Sequence, residues 1–457
     1  MKRIISCLIV TAMLFVAFSA VAFAQVTVDT KKSGKEGIFS YVENDDGTIR
    51  IEMTDTTASG VVTVPDKIGK KKVTQISTYA FWDCVNITEV NIGSNIVQIG
   101  QMAFMNCPSL QKINVDENNE YYASMAGILS DKSYTTIIKC PAQMTGDFVM
   151  PDTIKTIAQY SFFDCAKMTS IKLSSKLSNI PSFAFANCSS LTEMQIPSTV
   201  TDIGESAFSY CTKLENITVP EKVFYLGASA FANCSSLKKV HIGAALVFIG
   251  DLVFTGCNAL TEFSVSAMNT MYSAKDGMLL SKNGKTFYAC PQAKAEEITL
   301  PDGVQKIAKY AFYSFKNIEG ITMPETLEEI ADFAFVSCQV DSLMFKGEAP
   351  ELGKNVFYDA SPNLTIYCYE KNKTSFASSA WRDLNVQTVK DEEEEQANIG
   401  DLNGDGKINS RDLAQLQRYI VGEAPLAGTI EFLTADVTED GKVNSRDIAA
   451  LQRIVAS

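Results

Sequence analysis

The sequence contains one histidine, His241, in 457 residues. A catalytic triad that uses histidine needs the imidazole to be sheltered and paired with an acid. His241 instead lies at an outward position of a predicted strand, where Lys239 and His241 alternate with the apolar Val240 and Ile242. The chain therefore offers no candidate for histidine-based catalysis, and we expect it not to be an enzyme.

Cysteine pairs at metal-binding spacing are also missing. The 12 cysteines include no C-x-x-C pair, which is the tight spacing that structural zinc sites use. Many of them recur instead at one repeat position: Cys84, Cys107, Cys165, Cys188, Cys211, Cys234 and Cys257. One thiol per repeat predicts a ladder of small apolar side chains in the core. We expect these cysteines to be buried and mostly reduced.

Positive charge is scarce, since 40 Lys and Arg residues face 53 Asp and Glu residues and the formal net charge is −13. Nucleic acids and anionic membranes attract a cationic surface, so neither is an expected partner. Beyond the N-terminal segment, no stretch approaches the ~20 apolar residues that a membrane-spanning helix needs. We therefore expect no membrane insertion of the mature chain.

The N-terminal segment has the pattern of a secretory signal peptide. Two basic residues precede an apolar run at residues 4–18, and Ala22 and Ala24 supply small residues before a cleavage point. We predict a signal peptide at residues 1–24 and an extracellular, secreted mature chain. An uncleaved membrane anchor is the alternative interpretation of the same apolar run.

An internal repeat dominates the rest of the chain. A small residue followed by phenylalanine recurs, and most steps between these phenylalanines are 23 residues. The phenylalanines are Phe81, Phe104, Phe162, Phe185, Phe208, Phe231, Phe254, Phe312, Phe335 and Phe357. Two steps, from Phe104 and from Phe254, are each 58 residues long. These long segments match each other at an offset of 150, since Cys140-Pro141 recurs as Cys290-Pro291, so they predict a second type of repeat unit used twice.

Each 23-residue unit predicts one short strand and a return segment. In residues 191–211, the apolar Leu191, Met194 and Ile196 have the spacing of a strand with one buried face. Pro197 then ends the strand, because proline has no N–H to donate to a sheet. Such a unit cannot bury its apolar face alone. Stacked units must therefore share one core, with the strands pairing in parallel along the stack.

The repeat pattern is C-x-x-L-x-x-(I/V/M)-x-(I/V)-P-x-x-(V/I)-x-x-I-G-x-x-A-F, and it covers about residues 38–388. This pattern resembles the BspA-like bacterial leucine-rich repeats of the 23-residue type. The resemblance implies an α/β repeat solenoid with a parallel β-sheet along the stack, which we assign to residues 25–388. It also implies a role in adhesion or protein binding, and it names no ligand.

A predicted linker at residues 389–399 follows the repeats. The segment at 390–399, KDEEEEQANI, contains no glycine or proline, and residues 391–395 are five consecutive acids. Because these charges repel one another, they predict an extended and solvated segment. A short acidic helix is the alternative.

Two near-copies of a cation-binding loop come next, at an offset of 35 residues. Oxygen ligands at loop positions 1, 3, 5 and 12, a glycine at position 6, a carbonyl at position 7 and a water held at position 9 are typical of calcium. The predicted ligands of two calcium ions are Asp401, Asn403, Asp405, Lys407, Asn409 and Asp412 in one loop, and Asp436, Thr438, Asp440, Lys442, Asn444 and Asp447 in the other. Thr438 stands where Asn or Asp is usual. Because a hydroxyl is a weaker ligand, we expect weaker binding in the second loop.

Each loop precedes an apolar helix pattern, with Leu413 and Leu416 after the first loop and Ile448 and Leu451 after the second. The pattern of a calcium-type loop followed by a helix occurs twice, with Asp at loop position 12. Over residues 400–457 this pattern resembles the type I dockerin of cellulosome-like assemblies. The resemblance implies a small all-α calcium-binding domain that binds a cohesin domain of a scaffolding protein.

The dockerin resemblance also implies a contact face on each helix. The matching positions here are Ser410, Arg411, Gln417 and Arg418, with the copies Ser445, Arg446, Gln452 and Arg453. Each residue is identical to its copy, which is consistent with the family's docking in two orientations. A solvated helix surface is the alternative interpretation of Arg418 and Arg453.

Together these features predict a secreted, non-catalytic assembly protein that is associated with a cell surface or a complex through its scaffold. The dockerin would attach the chain, in a calcium-dependent manner, to a scaffold of a polysaccharide-degrading complex, while the solenoid binds a protein, a cell surface or a substrate. The predicted strand face is polar, as at Glu193 and Gln195, and has no aromatic stripe, which favours protein over glycan. Two alternatives stay open: a carbohydrate-active component (a hydrolase or glycan binder in polysaccharide catabolism) and a module that regulates a protease or another enzyme.

Overall fold

The computed structural model describes residues 32–293, 296–316, 318–378, 380–390, 399–402, 407–422, 435–438 and 442–456. The chain divides into two compact units, at residues 1–259 and 260–457. The predicted signal peptide, residues 1–24, and most of the predicted linker lie outside the described residues. Within the described residues, no helix is long and apolar enough to cross a membrane.

The first unit consists of short strands joined by turns. Its strands are β1 (Ser33–Glu36), β2 (Phe39–Glu43), β3 (Ile49–Thr54), β4 (Ser59–Thr63), β5 (Lys67–Ile68), β6 (Lys71–Ile76), β7 (Asn86–Ile92), β8 (Gln98–Ile99), β9 (Lys112–Val115), β10 (Tyr122–Met125), β11 (Ile128–Asp131), β12 (Thr136–Lys139), β13 (Gly146–Val149), β14 (Thr156–Ile157), β15 (Met168–Lys172), β16 (Asn179–Ile180), β17 (Glu193–Gln195), β18 (Asp202–Ile203), β19 (Asn216–Val219), β20 (Tyr225–Leu226), β21 (Lys239–Ile242) and β22 (Phe248–Ile249).

The second unit continues the same kind of strand and adds helices near its C-terminal end. Its strands are β23 (Glu262–Val265), β24 (Tyr272–Lys275), β25 (Met278–Ser281), β26 (Thr286–Ala289), β27 (Glu296–Thr299), β28 (Lys306–Ile307), β29 (Ile318–Met323), β30 (Glu329–Ile330), β31 (Ser342–Phe345), β32 (Glu351–Leu352), β33 (Thr365–Tyr369) and β34 (Asn385–Val389). Two 3₁₀ turns, Glu370–Asn372 and Ser375–Ala377, lie between β33 and β34. The α-helices of the described residues are α1 (Ser410–Ile420) and α2 (Ser445–Ala456).

Each regular repeat contributes strands to two different parallel sheets. The longer strands β15 and β17 pair with Ile171 opposite Met194, and the two-residue strands β16 and β18 pair with Ile180 opposite Ile203. In both cases the paired residues are one repeat apart, so equivalent side chains stack on each other. The chain is therefore a β-solenoid with parallel sheets, as predicted, but the prediction of one strand per unit is wrong. The return segments supply a second, two-residue strand that ends at an isoleucine or leucine, such as Asp202–Ile203 (β18).

Gly204, which follows Ile203 in the I-G pattern, is required by close packing between neighbouring repeat units. A Cβ atom on Gly204 would lie 2.4 Å from the backbone nitrogen of Ser182, in the preceding unit. Only glycine allows the backbone to approach this closely. In the I-G pattern, the isoleucine is therefore the buried residue, and the glycine is the residue at which two backbones come close together.

Tight turns return the chain between the strands. In each, the residues two before and two after the repeat phenylalanine have left-handed backbone, as at Phe183 (φ 58°) and Asn187 (φ 62°) around Phe185. Aspartate, asparagine, glycine or serine usually fills the second place, because these residues tolerate the left-handed region better than others. Tyr210, with φ 61°, is an exception.

The core follows the repeat phenylalanines and cysteines. Phe185 and Phe208 stack at 5.4 Å with ring planes 6° apart, and Phe208 and Phe231 stack at 5.2 Å and 2°. All cysteines of the described residues are free and buried, which confirms the predicted buried ladder. His241 keeps 39% of its side chain exposed, as its outward strand position predicts.

The two long segments fold in the same way, which confirms a second type of unit. In the first, β10, β11 and β12 form an antiparallel meander, and β12 then pairs in parallel with β14. Strands β24, β25, β26 and β28 repeat that order 150 residues later. Phe287 of the second meander stacks on Phe312 at 5.1 Å.

Lys139 compensates for a missing turn in the first meander. In regular units, a backbone amide donates to the residue after the repeat phenylalanine of the next unit, as Asn187 donates to Ser209 at 2.8 Å. The meander lacks the turn that supplies this amide donor, so the Phe163 carbonyl oxygen has no such partner. The ammonium of the buried Lys139 donates to this oxygen instead, at 3.0 Å. A charged side chain thus satisfies a carbonyl that the repeat leaves without its usual amide donor.

Candidate metal-binding site

Helices α1 and α2 begin with the same capping arrangement, formed by predicted loop ligands. At α1, the Asn409 side chain accepts from the Arg411 amide at 2.9 Å, and Asp412 Oδ2 accepts from the Asn409 amide at 2.9 Å. At α2, the Asn444 side chain accepts from the Arg446 amide at 3.0 Å, and Asp447 Oδ2 accepts from the Asn444 amide at 2.7 Å. Loop positions 9 and 12 therefore form a capping box at each helix.

Four aspartates of the two predicted calcium loops are buried. Asp412 and Asp447 are fully buried, and Asp401 and Asp436 are each 7% exposed. Among the described residues, no other carboxylate is buried. Burying a charge is costly unless an opposite charge or hydrogen bonds compensate it. A set of carboxylate and carbonyl oxygens without sulfur or imidazole is what a hard cation such as calcium binds, so the residues present fit calcium.

The Asp447 carboxylate accepts hydrogen bonds from residues of its own loop. Oδ1 accepts from the Thr438 amide at 3.0 Å and from the Thr438 hydroxyl at 2.9 Å. Burial on its own would raise the pKa of Asp447, but hydrogen bonds from Asn444 and Thr438 to the carboxylate outweigh it and lower the pKa from its usual value. Asp447 therefore stays ionised at neutral pH, as a calcium ligand must.

Part of the predicted ligand set lies outside the described residues. Asn403, Asp405 and Asp440 are among these. Lys407 and Lys442 are exposed, and their carbonyl oxygens accept from the side-chain amides of Asn409 and Asn444, at 3.2 and 3.3 Å. No group of three or more His, Cys, Asp or Glu side chains in the described part of the chain could hold a metal. The two six-residue ligand sets therefore stay predictions.

A small apolar core joins the two loop-helix units. Leu402, Leu416, Ala435 and Leu451 are buried in one cluster. Leu416 comes from α1 and Leu451 from α2, and both are fully buried. Because each loop-helix segment supplies two of these four residues, the two segments stabilise each other.

The predicted contact residues lie on the outer surface of the two helices. Ser410, Arg411, Gln417, Arg418, Ser445, Arg446, Gln452 and Arg453 are all exposed. These side chains are therefore accessible to a partner, and their role in cohesin binding stays a prediction.

An exposed apolar patch on the solenoid escapes the sequence reasoning, which finds no aromatic stripe. Phe224, Tyr225, Val247 and Phe248 are 47%, 38%, 49% and 50% exposed. They lie at β20 and β22, in the sheet of two-residue strands. The sequence signal is a break in the repeat, because the same positions of the two preceding units hold Ser178-Asn179 and Thr201-Asp202. The Tyr225 and Phe248 rings stack on each other at 5.2 Å with planes 3° apart.

Comparisons with known proteins give two family matches. The BspA type leucine rich repeat region matches in six copies, over residues 66–145, 139–261 and 283–401. The dockerin type I domain matches residues 399–456. Among curated proteins, none matches the chain.

Solved structures of bacterial leucine-rich-repeat proteins are similar to the chain. A leucine rich cell surface protein from Faecalibacterium prausnitzii is 22% identical with a TM-score of 0.45, over 80% of this chain and 97% of that one. A leucine-rich repeat protein from Bacteroides ovatus is 20% identical with a TM-score of 0.41, over 80% and 100%. The pneumococcal vaccine antigen PcpA is 16% identical with a TM-score of 0.33, over 79% and 99%.

The matched repeats extend over more than half of the chain, and both matches agree with the folds described above. Leucine-rich repeats and dockerins are non-catalytic module types, typical of extracellular or surface-associated bacterial proteins. The chain belongs to the BspA-type leucine-rich-repeat family and carries a C-terminal type I dockerin domain.

Proposed function

We propose that the protein is a secreted assembly component whose dockerin binds a cohesin on a scaffolding protein in a calcium-dependent manner, while its solenoid binds a second partner. The observation that carries the docking half is the set of four buried aspartates in the two loops that precede and begin α1 and α2. A complex that degrades polysaccharide is the setting that the dockerin implies. In this proposal, the predicted signal peptide at residues 1–24 directs the protein out of the cell, where the assembly forms.

The loop residues of this chain fix the start of each helix. Asn409 and Asn444 cap the helices, and Asp412 and Asp447 anchor the capping amides. Calcium, when bound, supplies positive charge that offsets the buried aspartates. The two loops must therefore be ordered for Leu416 and Leu451 to stay packed together.

The exposed faces of the ordered helices form the docking surface in this proposal. Arg411 and Arg418 on α1, and their copies Arg446 and Arg453 on α2, are exposed. Arginine is frequent among the residues that dominate protein interfaces, because its planar head makes several hydrogen bonds at once. Since the two faces carry identical residues, either helix can present the same surface to one cohesin.

For the solenoid we propose a protein partner that covers the patch at Phe224, Tyr225, Val247 and Phe248. Exposed apolar clusters of this kind mark interaction sites. Tyr225 and Phe248 each cover one face of the other ring, which reduces the flat ring surface that a sugar needs for stacking. Apolar side chains of a protein can pack against the exposed ring edges and Val247.

The experiment for the docking half is a pull-down from culture supernatant of the source bacterium, with the mature chain, residues 25–457, as bait. We expect capture of a cohesin-bearing scaffold in calcium and its loss in excess chelator. The double variant Asp401→Ala, Asp436→Ala should lose capture, while Lys132→Met, an exposed change on the solenoid, should retain it. Capture that survives chelation would contradict the proposal.

The experiment for the solenoid half compares Phe224→Ser, Phe248→Ser with wild type in the same pull-down. We expect loss of a second protein that is captured in addition to the scaffold, with scaffold capture unchanged. Retention of the mature chain on plant polysaccharide, removed by the same pair of substitutions, would instead support glycan binding. Equal profiles for wild type and variant would contradict a role of the patch.

A further inference from the structure

A cavity lies in the solenoid where the first antiparallel meander takes the place of a repeat turn. It has a volume of about 90 Å³, and its lining consists of residues 99–105, residues 138–139 at the end of β12, and residues 158–160. Gln101 and Gln159 of this lining are exposed. A small molecule can therefore reach the cavity from solvent.

Two backbone amides at this cavity have no acceptor among the described residues. They are the amides of Met102 and Phe104. In a regular unit the equivalent amides, those of Phe183 and Phe185, donate to carbonyl oxygens of the following unit at 2.9 and 2.8 Å. The meander offers no turn at that place, so the two amides face the cavity instead. Because an unpaired amide is costly away from water, both favour a ligand that carries an acceptor.

Lys139 brings a positive charge to the same cavity, and this residue is only 9% exposed. Its ammonium donates to the carbonyl oxygens of Tyr160 and Phe163 at 3.2 and 3.0 Å. A lysine ammonium has three N–H donors, so one remains for a ligand. In the described part of the chain the ammonium has no ion-pair partner, and the neighbouring Asp164 carboxylate accepts from Asn187. A buried charge of this kind favours an opposite charge beside it.

The chemistry of the lining limits the class of ligand. An ammonium and two amides are all donors, so they fit a negatively charged group with acceptor oxygens. The volume excludes a drug-sized ligand, which needs ~300 Å³ or more, whereas an apolar cavity of about 150 Å³ holds benzene. Apolar residues of the lining can cover a short hydrocarbon chain; they include Ile99, Phe104, Met105, Ile138 and Ala158.

We propose that this cavity binds the anion of a short-chain carboxylic acid, with the carboxylate held by the Lys139 ammonium and the amides of Met102 and Phe104. The short hydrocarbon chain then lies against the apolar part of the lining. None of these residues belongs to the exposed patch at Phe224 and Phe248 or to the calcium loops. The cavity therefore adds a small-molecule site to a protein whose other proposed partners are proteins.

The second meander lacks the charge on which this site depends. At the offset of 150 residues, Ala289 stands where the first meander has Lys139. A carboxylate at the second meander would find no ammonium at the equivalent position. We therefore expect one such site in each chain.

The test is equilibrium dialysis of the mature chain, residues 25–457, against radiolabelled propionate at neutral pH and constant ionic strength. We expect saturable binding of one propionate per chain. Unlabelled propionamide, which has nearly the same shape and no charge, should compete more weakly than unlabelled propionate by roughly tenfold or more, because it cannot form charge-assisted hydrogen bonds as an acceptor anion. Inorganic phosphate should also compete more weakly, since it has no hydrocarbon chain to bury.

Two variants locate the binding in the cavity. Lys139→Met should weaken propionate binding by roughly tenfold or more, whereas Lys132→Met, at an exposed lysine of the same meander, should bind like wild type. Because Lys139→Met also removes a buried donor, Ala158→Leu supplies a second variant that fills the cavity and keeps the ammonium. It should lose propionate binding, and circular dichroism checks that each variant keeps the fold of wild type.

Absence of saturable propionate binding by wild type would overturn this inference. Equal competition by propionamide would show that the charge of Lys139 plays no part, and tighter binding of phosphate would exclude a carboxylate site. If Lys139→Met fails to fold, Ala158→Leu decides the outcome, since undiminished binding by that variant would place the propionate elsewhere.

Discussion

The thiol of Cys211 donates a hydrogen bond to the backbone carbonyl oxygen of Phe185, 3.2 Å away in the preceding repeat unit. The same bond joins Cys188 to Phe162 at 3.2 Å and Cys234 to Phe208 at 3.1 Å. Each bond is weak on its own, but it recurs along the stack beside the stacked phenylalanines. The cysteine ladder therefore helps to join neighbouring repeat units.

Truncating a ladder cysteine should weaken the solenoid. We expect Cys211→Ala to lower the free energy of unfolding by about 1–2 kcal/mol, because it removes a fully buried sulfur and leaves a small cavity. Urea denaturation followed by circular dichroism measures the change. Cys211→Ser, which keeps a donor for the Phe185 carbonyl, should lose less than the alanine variant. An unchanged unfolding midpoint for Cys211→Ala would contradict this account of the ladder.

The same thiols give the solenoid a specific pH dependence. Burial raises the pKa of Cys257 from 9.0 to about 12, so the thiol stays protonated in the folded chain while it ionises in the unfolded chain. Above pH ~9 the unfolded state therefore binds fewer protons, and stability falls as pH rises. Calorimetry at increasing alkaline pH should show this decline. Cys257→Ala should make it shallower by up to about 1.4 kcal/mol per pH unit, whereas parallel curves would contradict the assignment.

Tyr210 occupies a left-handed position that other units fill with smaller residues. We expect Tyr210→Asn to raise the free energy of unfolding by about 0.5–1 kcal/mol, since asparagine tolerates φ 61° better than tyrosine. The matched control is Asn233→Val, at the equivalent position with φ 60°. It should destabilise by about 1–2 kcal/mol, because β-branched residues are strained there. The reverse order of the two effects in urea unfolding would contradict the turn assignment.

Lys139 should matter more to stability than an exposed lysine. We expect Lys139→Met to cost about 1–3 kcal/mol, because the carbonyl oxygen of Phe163 then loses its buried donor. Lys132→Met serves as the control, since the Lys132 ammonium donates to the Glu117 carbonyl at an exposed site; its effect should stay within about 0.5 kcal/mol. Equal thermal midpoints for the two variants would show that Lys139 does not compensate for the missing turn.

Removal of calcium by a chelator should unfold the helices of the dockerin domain and leave the stability of the solenoid unchanged. The described repeats contain no buried carboxylate, whereas the four buried aspartates all belong to the loops. We therefore expect excess chelator to remove helical signal while the main β-sheet unfolding transition keeps its midpoint. Thermal scans with and without calcium measure both. A solenoid transition that moves with the calcium concentration would contradict this division.

The repeat period and the loop pattern are readable from the sequence because each follows local rules. The 23-residue spacing places the phenylalanines and cysteines in register, and the Asp and Gly positions mark the two loops. Both families inferred in this way agree with the matches found. The offset of 150 residues also predicts correctly that the two meanders share one fold.

Other features depend on contacts and exposure that the repeat period does not reveal. The second strand at Ile203 exists because its backbone pairs with Ile180 one unit earlier. The role of Lys139 follows from an amide donor that the meander lacks. The Thr438 to Asp447 bond joins residues nine apart, and from the sequence Thr438 is only a weaker ligand. The patch at Tyr225 and Phe248 appears in the sequence as a break in the repeat, and only the structure shows that its side chains are exposed.

The most direct test of the account is a calorimetric titration of the mature chain with a purified type I cohesin from the same bacterium. We predict one-to-one binding in calcium, no measurable binding in excess chelator, and no binding by the double variant Asp401→Ala, Asp436→Ala. Binding of undiminished affinity in chelator, or by the double variant in calcium, would contradict calcium-dependent docking.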